Sequence, residues 1–578
     1  MSDETRAGAV LSGTSQATQP PAAFGGTTAP VAASPAATSP KTQQSAVLDS
    51  AHIGDIEGAF GTIKLDDDTP QRSLSWKVKT LLAIVGPGLI VMVGDNDAGA
   101  FGTYTNAGQN YGTDLLWTLL LLIPVLYVNQ EMVLRLGAVA GVGHARLIFE
   151  RFGRFWGAFS VVDLFLLNAL TIVTEFIGIS LGLRYLGIPQ IPGIIVAALV
   201  IIGAVSTGSF KRFERVCLIL VGFSLLLIPI VIMVHPPLAD VVHGFFVPTM
   251  PGGSGQLSTV MLLIIGIVGT TVAPWQLFFQ QSYVIDKRIT PRFMGYERVD
   301  LWVGIVIVVV GAAAMMSFTA ATFAGTPEQG FFSDALGVAR GLGTYVGPVA
   351  AILFALALID ASIIGAAAVG LSTTYALSDT LGIKHSLHRK PKDAKGFYAV
   401  FAGLLVVAAV IVMIPGSPLG LLTVGVQTLA GVLLPSATVF LLLLCNDKEV
   451  LGPWVNGRAI NIFTSIVIGL LVLLSVILTV AVLFPGVSGA TMLWILGLGG
   501  GAGALAGIAI AIVGHVRGGP SAPIDRSGRE TWRMPPIALL KRPELSVGRR
   551  LGLSVLRIYL VVAVVLAVVR VVQIAVGH

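Results

Sequence analysis

Charge is scarce in this chain. Only 11% of its 578 residues are Asp, Glu, Lys or Arg, against roughly 25% in soluble domains, which excludes a soluble globular protein. Cysteine is scarcer still. Cys217 and Cys445 lie far apart in apolar runs, so neither a disulfide framework nor a thiolate metal cluster is written here. Histidine is missing from the middle of every apolar run: His52, His144, His235, His243, His385, His388, His515 and His578 fall in tails, loops or span ends. That distribution argues against the imidazole sites that suit zinc, copper or iron. Alternation is also absent. Runs such as Ile305 to Val310 are continuous, unlike the short alternating strands of a membrane barrel.

Apolar sequence is abundant, at 54%. Runs of about 20 residues recur from Leu81 to Val576, each able to cross a hydrocarbon core of roughly 30 Å as a helix. The fold class expected is an all-α polytopic membrane protein, with the lipid bilayer as its surroundings. Hydropathy places thirteen spans near 81–107, 114–136, 156–183, 191–206, 214–235, 258–285, 300–323, 346–375, 397–414, 419–445, 460–484, 490–515 and 551–575. Lys and Arg favour cytoplasmic loops. Of the 36 present, all but Arg184, Arg340, Arg557 and Arg570 fall on the side of the amino terminus, which sets that terminus in the cytoplasm of a multi-pass cell-membrane protein. This bias accounts for the net charge of +6, so no nucleic-acid partner is assigned, and no obligate protein partner is evident.

The domain reading follows. Residues 1–75, rich in Ala, Thr, Ser, Pro, Gly and Gln, read as a disordered cytoplasmic tail. Residues 76–445 form a ten-span transport core, 446–515 two accessory spans, 516–550 a basic cytoplasmic linker, and 551–578 a thirteenth span, for which Arg557 and Arg570 leave an interfacial helix as the alternative.

Two spans carry interruptions at mid-depth. Span 1 contains Gly86, Pro87 and Gly88, then Gly94, Asp95, Asn96, Asp97, Ala98, Gly99 and Ala100. A charge at that depth costs about 2.5–3.5 kcal/mol on insertion scales and marks a cavity, a partner or an ion path. Span 6 contains Gly269, Thr270, Thr271, Val272, Ala273, Pro274, Trp275 and Gln276, where Pro274 removes a backbone donor and frees a carbonyl near Thr270. Five spans separate the two interruptions. An odd number gives successive five-span units opposite topology, and paired broken helices in inverted halves point to a transporter site. The plainer alternative is a proline kink with polar residues bridging helices.

These residues resemble the NRAMP family of divalent-metal transporters over roughly residues 80–515. Counting from Gly86, Pro87 and Gly88, Asp97 falls on the aspartate of the family's Asp-Pro-Gly-Asn signature, and Gly269 to Trp275 overlays its Met-Pro-His region. Glu175, Phe176, Ile177 and Gly178 look like its Glu-x-x-Gly, and Gln427 with Pro435 like its span 10 glutamine and proline. The resemblance implies a 5+5 inverted-repeat core with helices 1 and 6 broken, plus about three accessory spans. It implies metal ligation by Asp97 with the carbonyls of Gly94 and Thr270, and Asp95, Gln276 and Gln427 as further candidates. Here Ala98, Gly99 and Ala100 follow the aspartate, so the family's asparagine is absent, while Ala273 and Trp275 flank Pro274 where it has methionine and histidine. Met92 does not replace the lost sulfur, lying about 140° around a helix from Asp97.

Thioether and imidazole are softer donors; carboxylate, carbonyl and water suit magnesium and, in part, manganese. The substituted motifs look like a divergent magnesium-transporting branch of the family, and the smaller side chains leave room for a partly hydrated ion. Only Glu175 survives of the family's proton relay, since Ile172 and Phe165 stand at its other acidic positions. The function expected is divalent-cation transport by alternating access, magnesium first and manganese second, without obligatory proton coupling. The metal is then cargo and no cofactor is implied. The alternatives are a proton-coupled manganese or iron transporter, a sodium-coupled solute carrier and a non-transporting metal sensor. An enzyme is not expected, because no His-x-x-x-His, paired Cys or Ser-Lys arrangement lies mid-membrane. Asp360 in span 8 and Glu175 are possible accessory acids, whereas Glu131 and Arg135 read as an interfacial i,i+4 pair.

Overall fold

The interrupted apolar runs fold as interrupted helices. The computed structural model describes residues 47, 49–65, 73–251, 257–414, 419–483, 491–492, 494–503, 505, 525–541, 553–554, 556–557 and 561. Most of the tail, much of the twelfth span and nearly all of the thirteenth lie outside the described residues. In the first half the helices are α1 (Leu74–Ile84), α2 (Pro87–Val93), α3 (Ala98–Tyr111), α4 (Trp117–Ala140), α5 (His144–Phe152), α6 (Arg154–Tyr185), α7 (Gln190–Val205), α8 (Phe210–Phe223), α9 (Leu227–Val234) and α10 (Leu238–Phe246). In the second they are α11 (Leu257–Thr271), α12 (Pro274–Asp286), α13 (Met294–Phe323), α14 (Ala335–Tyr345), α15 (Pro348–Leu381), α16 (Lys395–Val412), α17 (Leu419–Cys445), α18 (Lys448–Leu451) and α19 (Arg458–Leu483). Among the described residues nine helices are long and apolar enough to cross a membrane, or ten if α1 and α2, bent by 49°, count as one. The protein is an all-α polytopic membrane protein. Leu199, Ile219, Ile232, Val306 and Val310 are exposed, as lipid-facing side chains should be, while Asp95, Asn96, Asp97, Thr103, Thr270, Thr271 and Gln276 are buried.

The first crossing is in three pieces, one more than its central interruption implies. Ser73 caps α1, accepting from the Trp76 amide at 3.2 Å, and Pro87 starts α2, where its missing N–H costs nothing. At the bend, Gly86 has φ +150°, a conformation that favours glycine. The bend is held by opposite charges. Lys287 Nζ donates to the carbonyls of Ile84 and Val85 at 2.7 and 2.8 Å and pairs with Glu214 at 2.5 Å. Asp300 Oδ2 accepts from the amides of Gly86, Gly88 and Leu89 at 3.2, 2.7 and 3.3 Å. A cation thus meets the carbonyl end of α1 and a carboxylate the amide end of α2, which satisfies both orphaned helix ends.

Residues 49–65, expected within a disordered tail, are instead structured. A 3-10 turn at Ser50–His52 precedes an antiparallel hairpin of β1 (Ile56–Gly58) and β2 (Gly61–Ile63). The hairpin is held by distant residues. Ala59 N donates to Glu214 at 2.5 Å, Arg288 donates to the carbonyls of Ala51 and Asp55 at 3.0 Å each, and Asp49 pairs with Arg389. Burial pushes the Asp49 carboxyl up, but the Arg389 guanidinium and the Ala51 amide outweigh it and bring it down to about 2. A lowered carboxyl contributes stability above its ordinary pKa of about 3.9 and loses it as pH falls toward 2. Thermal unfolding of the purified protein should therefore lose stability between about pH 4 and pH 2, and Asp49→Asn should remove that part of the pH dependence.

Contacts sort the loops into two ends. The hairpin, the α12–α13 and α15–α16 loops and the start of α8 share one end, and Met534 N donates to Val139 O at 3.1 Å beside the α4–α5 loop. Arg151 joins Asp447 at 2.6 Å there, bringing in the α17–α18 turn. At the opposite end Thr249 bonds to Asp114 O at 3.0 Å, and Gln109 to Glu328 O at 2.9 Å. This is the grouping that the Lys and Arg count draws. Glu131 pairs with Arg135 at 3.3 Å and also with Arg298 at 2.8 Å.

Candidate functional site

The chain unwinds between α2 and α3 at Gly94–Asp97, and between α11 and α12 at Val272–Ala273. Asp97 is the N-cap of α3: its Oδ1 accepts from the Ala100 amide at 2.9 Å. Its neighbour Ala98 donates its amide to Glu175 Oε2 at 3.2 Å. In an unbroken helix that amide would bond to the Gly94 carbonyl. Glu175 therefore takes the donor and leaves the Gly94 oxygen available to a cation. The Asp97 and Glu175 side chains are close neighbours, and two adjacent carboxyl groups can share a proton. Both are buried, and Gly365 of α15 packs against them.

Across the break, Ala273 is the N-cap of α12 and Pro274 its first residue. Pro274 has no N–H to offer the Thr270 carbonyl. The Thr270 hydroxyl lies 3.2 Å from Gln427 Oε1 and 3.3 Å from Thr103 Oγ1, linking α11, α17 and α3. The Gln427 amide sits against Gly99, where an added Cβ would overlap it, and among the described residues its Nε2 has no hydrogen-bond partner. Trp275 is buried, its carbonyl accepting from Ser372 Oγ at 2.9 Å. The Gln276 amide donates to Asp95 Oδ1, and Gln130 Nε2 donates to Gln276 Oε1 at 2.9 Å. Among the described residues Asp95 Oδ2 has no hydrogen-bond partner. On a regular helix Asp95 would point about 200° from Asp97; because the segment is unwound, it turns to the first turn of α12.

Asp97, Gly94, Thr270, Gln427, Asp95 and Gln276 thus gather at the two breaks. Asp360 lies on a different face of α15 from the one against Glu175, one turn before Ile364, which packs on Gly94. Leu358 and Ser362 face Gly178 of α6 and Gly365 faces Glu175, which puts Asp360 about 200° around α15 from that stripe. Met92 packs on Gly304 of α13, away from the site. Next to Ala98, a pocket between Gly102, Gly178, Asp334 and Thr423 has about 10 Å3 of free space, close to the least that holds one water, and the Gln427 amide fills the space over Gly99. Sequence reasoning missed Gln130 and Thr103. Gln130 was legible as an amide in an apolar run, but beside Glu131 and Arg135 it read as part of a span end.

Among the described residues no three His, Cys, Asp or Glu side chains cluster as metal ligands. The donor set is one or two carboxylates, amide and hydroxyl oxygens and freed carbonyls, all hard, without sulfur or imidazole. Such a set suits magnesium, which needs one or two carboxylates and keeps several waters.

A family model described as "Natural resistance-associated macrophage protein-like" matches residues 88–481. Among similar proteins, the divalent metal cation transporter MntH of Ralstonia nicotianae is 29% identical, covering 69% of this chain and 89% of its own length. MntH of Bacillus subtilis is 26% identical, covering 71% and 95%. The crystal structure of an Eremococcus coleocola manganese transporter shares the fold, with a TM-score of 0.59 at 21% identity over 78% of this chain and 98% of that one. These relatives are transporters rather than enzymes, with the metal as cargo. With both breaks at the positions its motifs require and the match spanning α2 to α19, the chain belongs to the Nramp family.

Proposed function

We propose that the protein transports a divalent cation, magnesium before manganese, by alternating access between the two ends of the bundle. The observation that carries this reading is the Asp97 carboxylate at a helix break beside a Gly94 carbonyl whose usual donor goes to Glu175. Asp97 is the principal anionic ligand, with the carbonyls of Gly94 and Thr270, and Asp95, Gln276 and Gln427 supply further oxygens. Alanine at 100 and 273 removes the amide and sulfur positions of the family motif. The basic end, which bears most of the Lys and Arg, faces the cytoplasm. Residues 76–445 are the transport core, 446–515 accessory spans, 516–550 a cytoplasmic linker and 551–578 a further span.

A second reading is proton-coupled manganese or iron transport, which the Asp97 and Glu175 contact favours, because a metal arriving at Asp97 would displace a shared proton. Against a continuous relay, Ile172 is buried and apolar where the family has an acid, and Trp275 replaces its histidine. Donor chemistry is testable directly. Ala273→Met with Ala100→Asn should shift preference toward manganese and cadmium by about tenfold or more, measured by competition against magnesium uptake in proteoliposomes. Unchanged selectivity would mean that helix geometry, not donor type, sets it.

A further inference from the structure

The basic end contains a cavity of about 660 Å3 that none of the candidate metal-site residues lines, within the roughly 300–1,000 Å3 of small-molecule sites. Four separated stretches wall it: residues 47–65, the end of α4, the end of α12 with the α12–α13 loop, and residues 530–534. Lys64, Arg288, Arg292 and Arg533 line it, against the Glu530 carboxylate. Some of that charge is matched. Lys64 pairs with Asp55 at 3.0 Å, and Arg288 stands 3.8 Å from Glu57. Arg533 is different. Its guanidinium donates to the carbonyls of Glu530 and Trp532 at 3.3 and 2.9 Å, and among the described residues no carboxylate pairs with it. Burial brings it down to about 10, as expected for a charge withdrawn from water without a counter-charge. Ile53, Ile289, Phe293 and Met534 make up an apolar part of the wall, and His52, Thr290 and Thr531 add polar groups.

We propose that this cavity binds a phosphate-bearing anion with an apolar body, held by Arg533 and Arg288 and joining the hairpin to the 530–534 segment. Arg288 and Arg533 line the cavity from separate segments, and guanidinium groups match a phosphate, whose several oxygens accept paired N–H donors, better than they match a single halide. The chemistry is shared by an anionic phospholipid headgroup and a soluble nucleotide, and these are separable.

The full-length protein is incubated in magnesium-free buffer with adenosine triphosphate, or reconstituted in nanodiscs of phosphatidylglycerol or phosphatidylcholine, and binding is read by thermal unfolding and by retained radiolabel. Stabilisation by the nucleotide alone identifies a soluble ligand; stabilisation by phosphatidylglycerol over phosphatidylcholine identifies a lipid. In either case Arg533→Gln should weaken binding at least tenfold and Arg533→Lys less, while metal uptake by the unliganded protein stays as in the wild type. Folding of both variants is checked by that uptake. No binding of any anionic probe above the chloride and phosphatidylcholine controls, or equal binding by Arg533→Gln and Arg288→Gln, would overturn the proposal.

Discussion

Asp97→Ala should lower divalent-cation uptake at least 100-fold while leaving a folded, monodisperse protein. Asp97 is the charged ligand common to every version of the site, and without it a divalent ion at that depth meets carbonyls and amides with little to offset its lost hydration. The fold should tolerate the change because the side chain's structural work is a single cap on α3, worth about 1 kcal/mol. Uptake of metal into proteoliposomes, normalised to protein recovered from a sizing column, measures both. Asp95→Asn should act more weakly, since Asp95 already spends one oxygen on Gln276.

Lys287→Met should have the largest structural effect. Its ammonium is fully buried, pairs with the equally buried Glu214 and satisfies two carbonyls at the end of α1. Removing one member of a buried pair costs about 3–5 kcal/mol, because the other charge is left unmatched. The Lys287→Met protein should unfold at markedly lower temperature. Glu214→Gln with Lys287→Met should recover part of the loss, since removing both charges spares the uncompensated one. A double variant no more stable than Lys287→Met would place the cost in the freed carbonyls of Ile84 and Val85 instead.

Much of the architecture is legible in one dimension because the bilayer is an unforgiving solvent: a long apolar run has few alternatives to a crossing helix, and a polar residue within it needs a reason. That logic marks Asp97, Thr270, Gln276 and Gln427. It fails where distant contacts decide. The hairpin at 56–63 has little local preference and is held by Glu214, Arg288 and Arg389, more than 150 residues away, so its stretch reads as tail. Helix α1 begins earlier than hydropathy indicates, because Lys77 and Lys79 dilute its apolar run. Asp360 is a mid-span acid whose direction hydropathy does not give; only the packing of α15 sets it off the stripe that meets Gly178 and Glu175. The place of the Gln427 amide over Gly99 was equally invisible, since residue size at 99, 100 and 273 says nothing about it.

The central claim is that a hard-donor site moves magnesium without a proton partner. Purified protein in liposomes loaded with a pH-sensitive dye, held at clamped voltage, is given magnesium with and without an imposed proton gradient. Uptake should follow the magnesium gradient and the membrane potential, worth about 2.3 kcal/mol per elementary charge per 100 mV, with no change in lumenal pH. Lumenal acidification that accompanies magnesium entry, or magnesium driven uphill by the proton gradient, would contradict the account and make the Asp97 and Glu175 pair the coupling site.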